Sequence, residues 1–181
     1  MLVVGPFAAG KTALIRTVSD TPVVGTEVAT SGQEAAVKAT TTVGIEHGVY
    51  RLVDGELTVE LLLFGTPGQC RFEAVRRVAA LGVEGVLLVV DGTRPDTWAE
   101  ARRLWCAVGL DGGHAAGPVP TVVAVNRWPE GGALPDGLSA ALDMPPGTAW
   151  CAGDVVEPPE ARRIVATLLD AVLDRLPEDA A

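Results

Sequence analysis

The chain has 181 residues, 48% apolar and 20% charged, which excludes a disordered chain or a coiled coil and predicts one domain with a full core. Lys+Arg number 14 against 23 Asp+Glu, a net charge of −9, which argues against non-specific nucleic-acid binding and against a polybasic membrane anchor. Cys70, Cys106 and Cys151 lie far apart and form no CxxC or Cys/His cluster, so no disulfide framework or zinc site is expected. A reducing cytosol is the default setting. No apolar stretch approaches the roughly 20 residues of a membrane span. The opening Met1–Val4 lacks the basic segment of a signal peptide, Leu2 excludes N-myristoylation, and the last residues offer no prenylation cysteine. A soluble, cytoplasmic protein is expected.

Apolar runs alternate with helical patterns, the mark of βαβ units and a mostly parallel sheet. Leu2–Val4 is a short strand, and Lys11–Ser19 a helix behind a glycine-rich turn. Asp20–Thr42 shows no clean period and reads as a long loop. Ile45–Val53 and Glu56–Phe64 flank Asp54-Gly55, a hairpin signal, so they should run antiparallel. Val86–Val90 is a continuous apolar run, as expected of a strand covered on both faces, and Val119–Val125 is another buried strand. Pro95–Val108 is helical, with Pro95 placed near its start. Arg127–Pro146 is loop-like around a short helix at Leu138–Leu142, and Thr148–Cys151 is a last strand. Pro159–Leu176 closes the chain as an amphipathic helix. No internal repeat or second domain is visible.

Gly5-Pro6-Phe7-Ala8-Ala9-Gly10-Lys11-Thr12 fits G-x-x-x-x-G-K-[ST] between a strand and a helix. Independent draws from this composition would produce it roughly 0.003 times, which disfavours a chance glycine turn. The glycines let backbone N–H groups turn inward around phosphate oxygens, and the helix beginning near Lys11 directs its positive end at the anion. Gly5, Ala8, Ala9, Gly10, Lys11, Thr12 and Ala13 are therefore the candidate phosphate-binding residues. In this motif Lys11 reaches the β- and γ-phosphates and the Thr12 hydroxyl ligates Mg²⁺.

From this loop onward the chain resembles a Ras-superfamily small GTPase. The likeness is greatest to the prokaryotic branch of MglA-like and actinobacterial conservon-type GTP-binding proteins. Scarcity of lysine (Lys11 and Lys38 are the two) also suggests a GC-rich, bacterial genome. The resemblance implies an α/β, three-layer P-loop domain over residues 1–181, with a mixed six-stranded sheet and one antiparallel edge strand. Its phosphate loop would be 5–12, its first switch about 20–44 and its second about 65–80. Thr40-Thr41-Thr42-Val43-Gly44 resembles the switch threonine segment, with Thr42 the matching Mg²⁺ ligand and Thr41 the fallback. Plain β-propensity would also explain a threonine run. Phe64-Gly65-Thr66-Pro67-Gly68-Gln69 resembles the second switch, where Gly68 would sense the γ-phosphate and Gln69 would orient the attacking water. Asn126-Arg127 stands for the base-reading N-K-x-D, and Ala152 falls where a backbone N–H meets the base.

Three departures bear on chemistry. Gly65 replaces the aspartate of D-x-x-G that holds Mg²⁺ through a water. Pro129 replaces the base-reading aspartate, at a cost on the order of 1–3 kcal/mol of discrimination by analogy with base-edge readout. Glu130 stands one residue late to substitute for it. Phe7 puts a ring where the family carries a small glycine beside the catalytic glutamine.

Other polar residues read more plainly. Asp91 should cap the loop after its strand rather than approach Mg²⁺. His47 and His114 read as surface residues without partners, and Arg76-Arg77, Arg102-Arg103 and Arg162-Arg163 as solvated helix faces. Arg71 is an outside candidate for an internal arginine finger. Trp98, Trp105 and Trp150 read as packing residues, and Trp128 as a less favoured platform for a purine. The function implied is a GTP/GDP switch with Mg²⁺ and slow hydrolysis, in which Lys11 and Gln69 are catalytic. A hydrolysis-deficient scaffold with relaxed base choice is the rival that Gly65, Pro129 and Phe7 favour. A P-loop kinase or ATPase ranks last, because no carboxylate ends Glu56–Phe64. The resemblance further implies a Roadblock/LC7-type regulatory partner and an activator or exchange factor, with no nucleic acid and no membrane anchor.

Overall fold

The computed structural model describes residues 1–25, 27–29, 40–42, 45–55, 57–66, 82–109 and 119–175. The elements in chain order are β1 (Leu2–Val4), α1 (Lys11–Val18), β2 (Glu27–Ala29), β3 (Thr40–Thr42), β4 (Glu46–Asp54), β5 (Leu57–Gly65) and β6 (Val86–Asp91). They continue with α2 (Trp98–Gly109), β7 (Thr121–Asn126), α3 (Leu138–Leu142), β8 (Ala149–Gly153) and α4 (Pro158–Leu173). Six strands form one sheet in the order β4-β5-β1-β6-β7-β8. The β4–β5 pair is antiparallel and the others are parallel, which makes β4 the antiparallel edge strand.

The central strands are apolar along their middles, through Leu2–Val4, Val86–Val90 and Val122–Val125, so their pleat fills two cores. Val3, Leu87, Val89, Val122 and Ala124 pack with Leu14, Ile15 and Val18 of α1 and Ile164, Val165 and Leu168 of α4. On the other face Leu2, Val4, Leu88, Val90, Val123 and Val125 pack with Trp98 and Ala101 of α2 and Leu138 and Leu142 of α3. Alternate residues of one strand thus serve opposite cores, the period of two that β-geometry imposes. The result is an α/β three-layer domain. Trp105 and Trp150 pack at the edge of the second core with Trp98, as expected for packing residues. Among the described residues no helix is long and apolar enough to cross a membrane.

Three sequence readings need correction. Asp20–Thr42 is not wholly loop: β2 and β3 pair antiparallel inside it, from Glu27↔Thr42 to Ala29↔Thr40. The hairpin turns one residue later than Asp54-Gly55 suggests, because Asp54 pairs with Leu57 and Gly55 takes the first central position with φ 60°. Pro95–Thr97 forms a 3-10 turn before α2 rather than its first α-turn. Asp91 and Asn126 extend their strands by pairing with each other, and β8 runs on to Gly153.

These cores set two expectations. Leu88 is fully buried in β6, so Leu88→Ala should cost about 2–5 kcal/mol through lost burial and the cavity left behind, read as a lower midpoint in urea unfolding. Burial pushes the Cys151 thiol above its ordinary range, whereas Cys106 is exposed. In a Cys70→Ser background, a thiol reagent near pH 8 should label Cys106 in the native protein and Cys151 only after denaturation.

Candidate functional site

The parallel strands β1, β6, β7 and β8 present their carboxyl ends along one edge of the sheet, where ligands of open α/β folds bind. The loop after β1 is built around backbone that other residues tolerate poorly. Gly5 has φ 151°, and a Cβ there would lie 2.1 Å from the Val89 carbonyl oxygen of the neighbouring strand. Ala8 takes φ 61° and Gly10 φ 113°. Gly10 is the N-cap of α1 without a side-chain cap hydrogen bond, and no acidic residue stands in the first turn. The helix start therefore keeps its N–H groups and its positive end for an anion. Lys11 is buried, its Nζ donating to the carbonyls of Gly5 at 2.8 Å and Pro6 at 2.7 Å. Those bonds fold its ammonium back over the loop that would hold a phosphate. Phe7 is half-buried on the same loop.

Thr12, the next residue, donates its hydroxyl to Glu46 Oε2 at 2.8 Å. Glu46 begins the edge strand β4 yet is 2% exposed. A hydroxyl beside a carboxylate is an all-oxygen donor set that suits a hard divalent cation. Thr42 belongs to β3 opposite Glu27, and the metal assignment to Thr42 or Thr41 concerns side chains outside the described residues. Gly68, Gln69, Arg71, Arg76-Arg77, His114 and Cys70 also lie outside them.

The end of β7 is fastened to this loop. Asn126, 1% exposed, donates from Nδ2 to the Ala9 carbonyl at 2.8 Å, and its Oδ1 accepts the N–H groups of Arg127 at 2.9 Å and Val155 at 3.1 Å. One carboxamide so joins the phosphate loop, its own loop and the turn after β8. Gly10 gives it room, since a Cβ there would fall 2.4 Å from Asn126 Nδ2. Arg127, at φ 57°, pairs with Asp91 Oδ2 and reaches the Ala8 carbonyl at 3.4 Å. Asp91 Oδ1 also accepts the N–H of Thr93 at 2.9 Å and its hydroxyl at 2.7 Å, which is the loop cap expected of it. Ala152 is buried in β8 and its carbonyl accepts from Arg163 at 2.6 Å.

The corner around the ends of β7 and β8 has its acids engaged. Glu130 pairs with Arg163 Nε at 2.8 Å, Glu160 accepts the Asp154 N–H at 2.7 Å, and Asp154 accepts the Val156 N–H at 3.1 Å. Arg163 therefore braces these loops while staying partly exposed, and Arg162 beside it is exposed. His47 is half-buried, with its ring 5.3 Å from that of Phe64, so it too has a partner. The Trp128 indole lies against Gly92 and donates to the Ala133 carbonyl at 2.8 Å, half-buried at the edge of the second core. Sequence reasoning missed Glu46, Glu160 and Arg163. For Glu46 the signal was an acid near the start of a strand, paired with one that lacks its expected aspartate.

A family model described as the Ras family matches residues 1–111. Among curated proteins the chain is similar to the Ras-related protein RABC1 of Arabidopsis thaliana, 33% identical over 64 residues. That match covers 35% of this chain and spans 30% of the relative's length.

Asn126→Ala should leave the Ala9 carbonyl and the Val155 N–H unsatisfied, at about 1–3 kcal/mol for each buried group. Differential scanning fluorimetry should show a fall in Tm, whereas Asp136→Ala, at an exposed loop residue, should leave it within a degree or so.

Proposed function

The chain belongs to the Ras family, and from that premise we propose that it is a small GTP-binding protein, a nucleotide-dependent switch with slow GTP hydrolysis. The observation that carries this reading is the Gly5–Thr12 loop at the uncapped start of α1, fastened through Asn126 to the loops after β7 and β8. The reading extends to a single GTP-binding domain over 1–181, switches at about 20–44 and 65–80, the prokaryotic MglA-like branch, a bacterial source and a cytoplasmic setting. The Gly65-Thr66-Pro67-Gly68-Gln69 segment and the scarcity of lysine support that branch.

In this mechanism the loop N–H groups and Lys11 bind the β- and γ-phosphates and offset their charge. Mg²⁺, when bound, would neutralise charge developing between those phosphates, with Thr12 and Thr42 as its protein ligands. Gln69 orients a water whose oxygen bonds to the γ-phosphorus as the β–γ bridging bond breaks. The electron pair leaves on the β-phosphate oxygen, and the products are GDP and inorganic phosphate. Release of the γ-phosphate frees both switches. Asn126, Arg127 and Ala152 form the base end of the site.

A second reading is favoured by that base end: a nucleotide-binding scaffold without useful hydrolysis and with relaxed base choice. Pro129 supplies no carboxylate, and Glu130 is committed to Arg163. In either reading a dimeric Roadblock/LC7-type protein is proposed to bind the switch face, with an activator or exchange factor setting the nucleotide state.

Nucleotide released by denaturing the purified protein should run as GDP on ion-exchange chromatography. Bound GTP would favour the scaffold, and adenine nucleotide or none would overturn guanine specificity. In single-turnover assays Gln69→Ala should slow hydrolysis by at least about tenfold. An unchanged rate would sink the enzymatic reading.

A further inference from the structure

Gly65 leaves a gap in the metal side of the site, and a neighbouring strand fills it. The antiparallel register places Glu46 of β4 directly opposite Gly65 of β5, while Gly65 lies beside Val3 of β1, two residues before the phosphate loop begins. A Cβ built on Gly65 would lie 3.1 Å from Glu46 Oε2 and 3.4 Å from Glu46 Cβ. The Glu46 side chain therefore occupies the space into which a residue at 65 would project. Gly25 makes room on another side, where a Cβ would come within 2.9 Å of Glu46 Cγ. The carboxylate so delivered accepts the Thr12 hydroxyl at 2.8 Å.

We propose that Glu46 substitutes from the adjacent strand for the carboxylate that Gly65 cannot supply, positioning the Thr12 hydroxyl for the divalent cation that accompanies the nucleotide. A threonine hydroxyl has one proton and two lone pairs. Donation to Glu46 fixes the proton away from the cation and leaves the lone pairs as ligand, and the nearby negative charge strengthens cation binding. Taking a carboxylate out of water is unfavourable, and a divalent cation beside Thr12 helps to offset that desolvation. Glu46 is a positioning residue in this scheme. The inference rests on the nucleotide–Mg²⁺ reading above.

The test is release of mant-GDP from the full chain, followed by fluorescence across a Mg²⁺ titration and in excess EDTA. Wild type should release slowly with Mg²⁺ and fast in EDTA. Glu46→Gln should shift the Mg²⁺ midpoint upward by about 10–100-fold, the usual cost of losing a partner of a metal ligand, and leave release in EDTA unchanged. The swap Glu46→Ser with Gly65→Asp should bring the midpoint back toward wild type. At 65 a Cβ would lie 2.6 Å from Ile15 Cδ1, so the swap requires that side-chain tip to turn aside. Should Glu46→Gln fail to fold, the swap decides by itself: a retained Mg²⁺ response supports the proposal and a lost one overturns it. An unshifted midpoint in Glu46→Gln overturns it and leaves the nucleotide reading intact. Equal acceleration with and without Mg²⁺ also overturns it, since the carboxylate would then serve the loop or the fold alone. Failure of wild type to bind mant-GDP overturns both.

Discussion

The loop that would hold a phosphate runs through three positive φ values, one of them at Ala8, and the Lys11 ammonium helps to hold that shape by donating to the Gly5 and Pro6 carbonyls. Contact with the sheet supplies the rest of its support: the Gly5 backbone lies against Val89, and Asn126 ties Ala9 to the ends of β7 and β8. A buried carboxamide with both ends bonded is an expensive group to disturb, since each atom left without a partner bears the full cost of desolvation. Such a tie makes the phosphate and base ends of the cleft one mechanical unit. It also explains why Gly10 carries no side chain, for a Cβ there would collide with that amide.

Much of this architecture was legible because the sheet's centre is buried on both faces. The short, β-branched run Val86–Val90 and the similar stretch within Val119–Val125 favour buried strands, and the phosphate loop announced itself by glycine spacing. The hairpin was legible in kind but not in register. A turn centred on Asp54-Gly55 would set Glu46 against Leu63, whereas the observed pairing Asp54↔Leu57 slides the strands by two residues and sets it against Gly65. Side-chain faces are unchanged by such a slip, so the apolar pattern could not detect it. A carboxylate beside Thr12 was therefore invisible although both strands were found. The short β2–β3 pair was missed for a simpler reason: three residues per strand give too little pattern to show alternation.

The base end shows a different limit. Arg162-Arg163 looks like any solvated pair on a helix, and nothing local reveals that Arg163 holds both Glu130 and the Ala152 carbonyl. That role comes from tertiary packing of α4 against β8. With Pro129 fixing the backbone and Glu130 drawn toward Arg163, the corner carries an ion pair between the β7 loop and α4.

Charge accounting joins the two ends. A chain of net charge −9 attracts a polyphosphate only through local fields, since charges beyond about 8 Å are screened at physiological salt. Arg127 is committed to Asp91 and Arg163 to Glu130, so neither offers its full charge to the cleft. Lys11 and the start of α1 supply positive potential, but Glu46, buried beside Thr12, opposes it. A nucleotide's phosphates would add several further negative charges within the same few ångströms. Glu46 in this position therefore makes a divalent cation more important for anion binding than it would be beside a neutral residue. The carboxylate that weakens the bare phosphate site is the group that would strengthen the metal-loaded one.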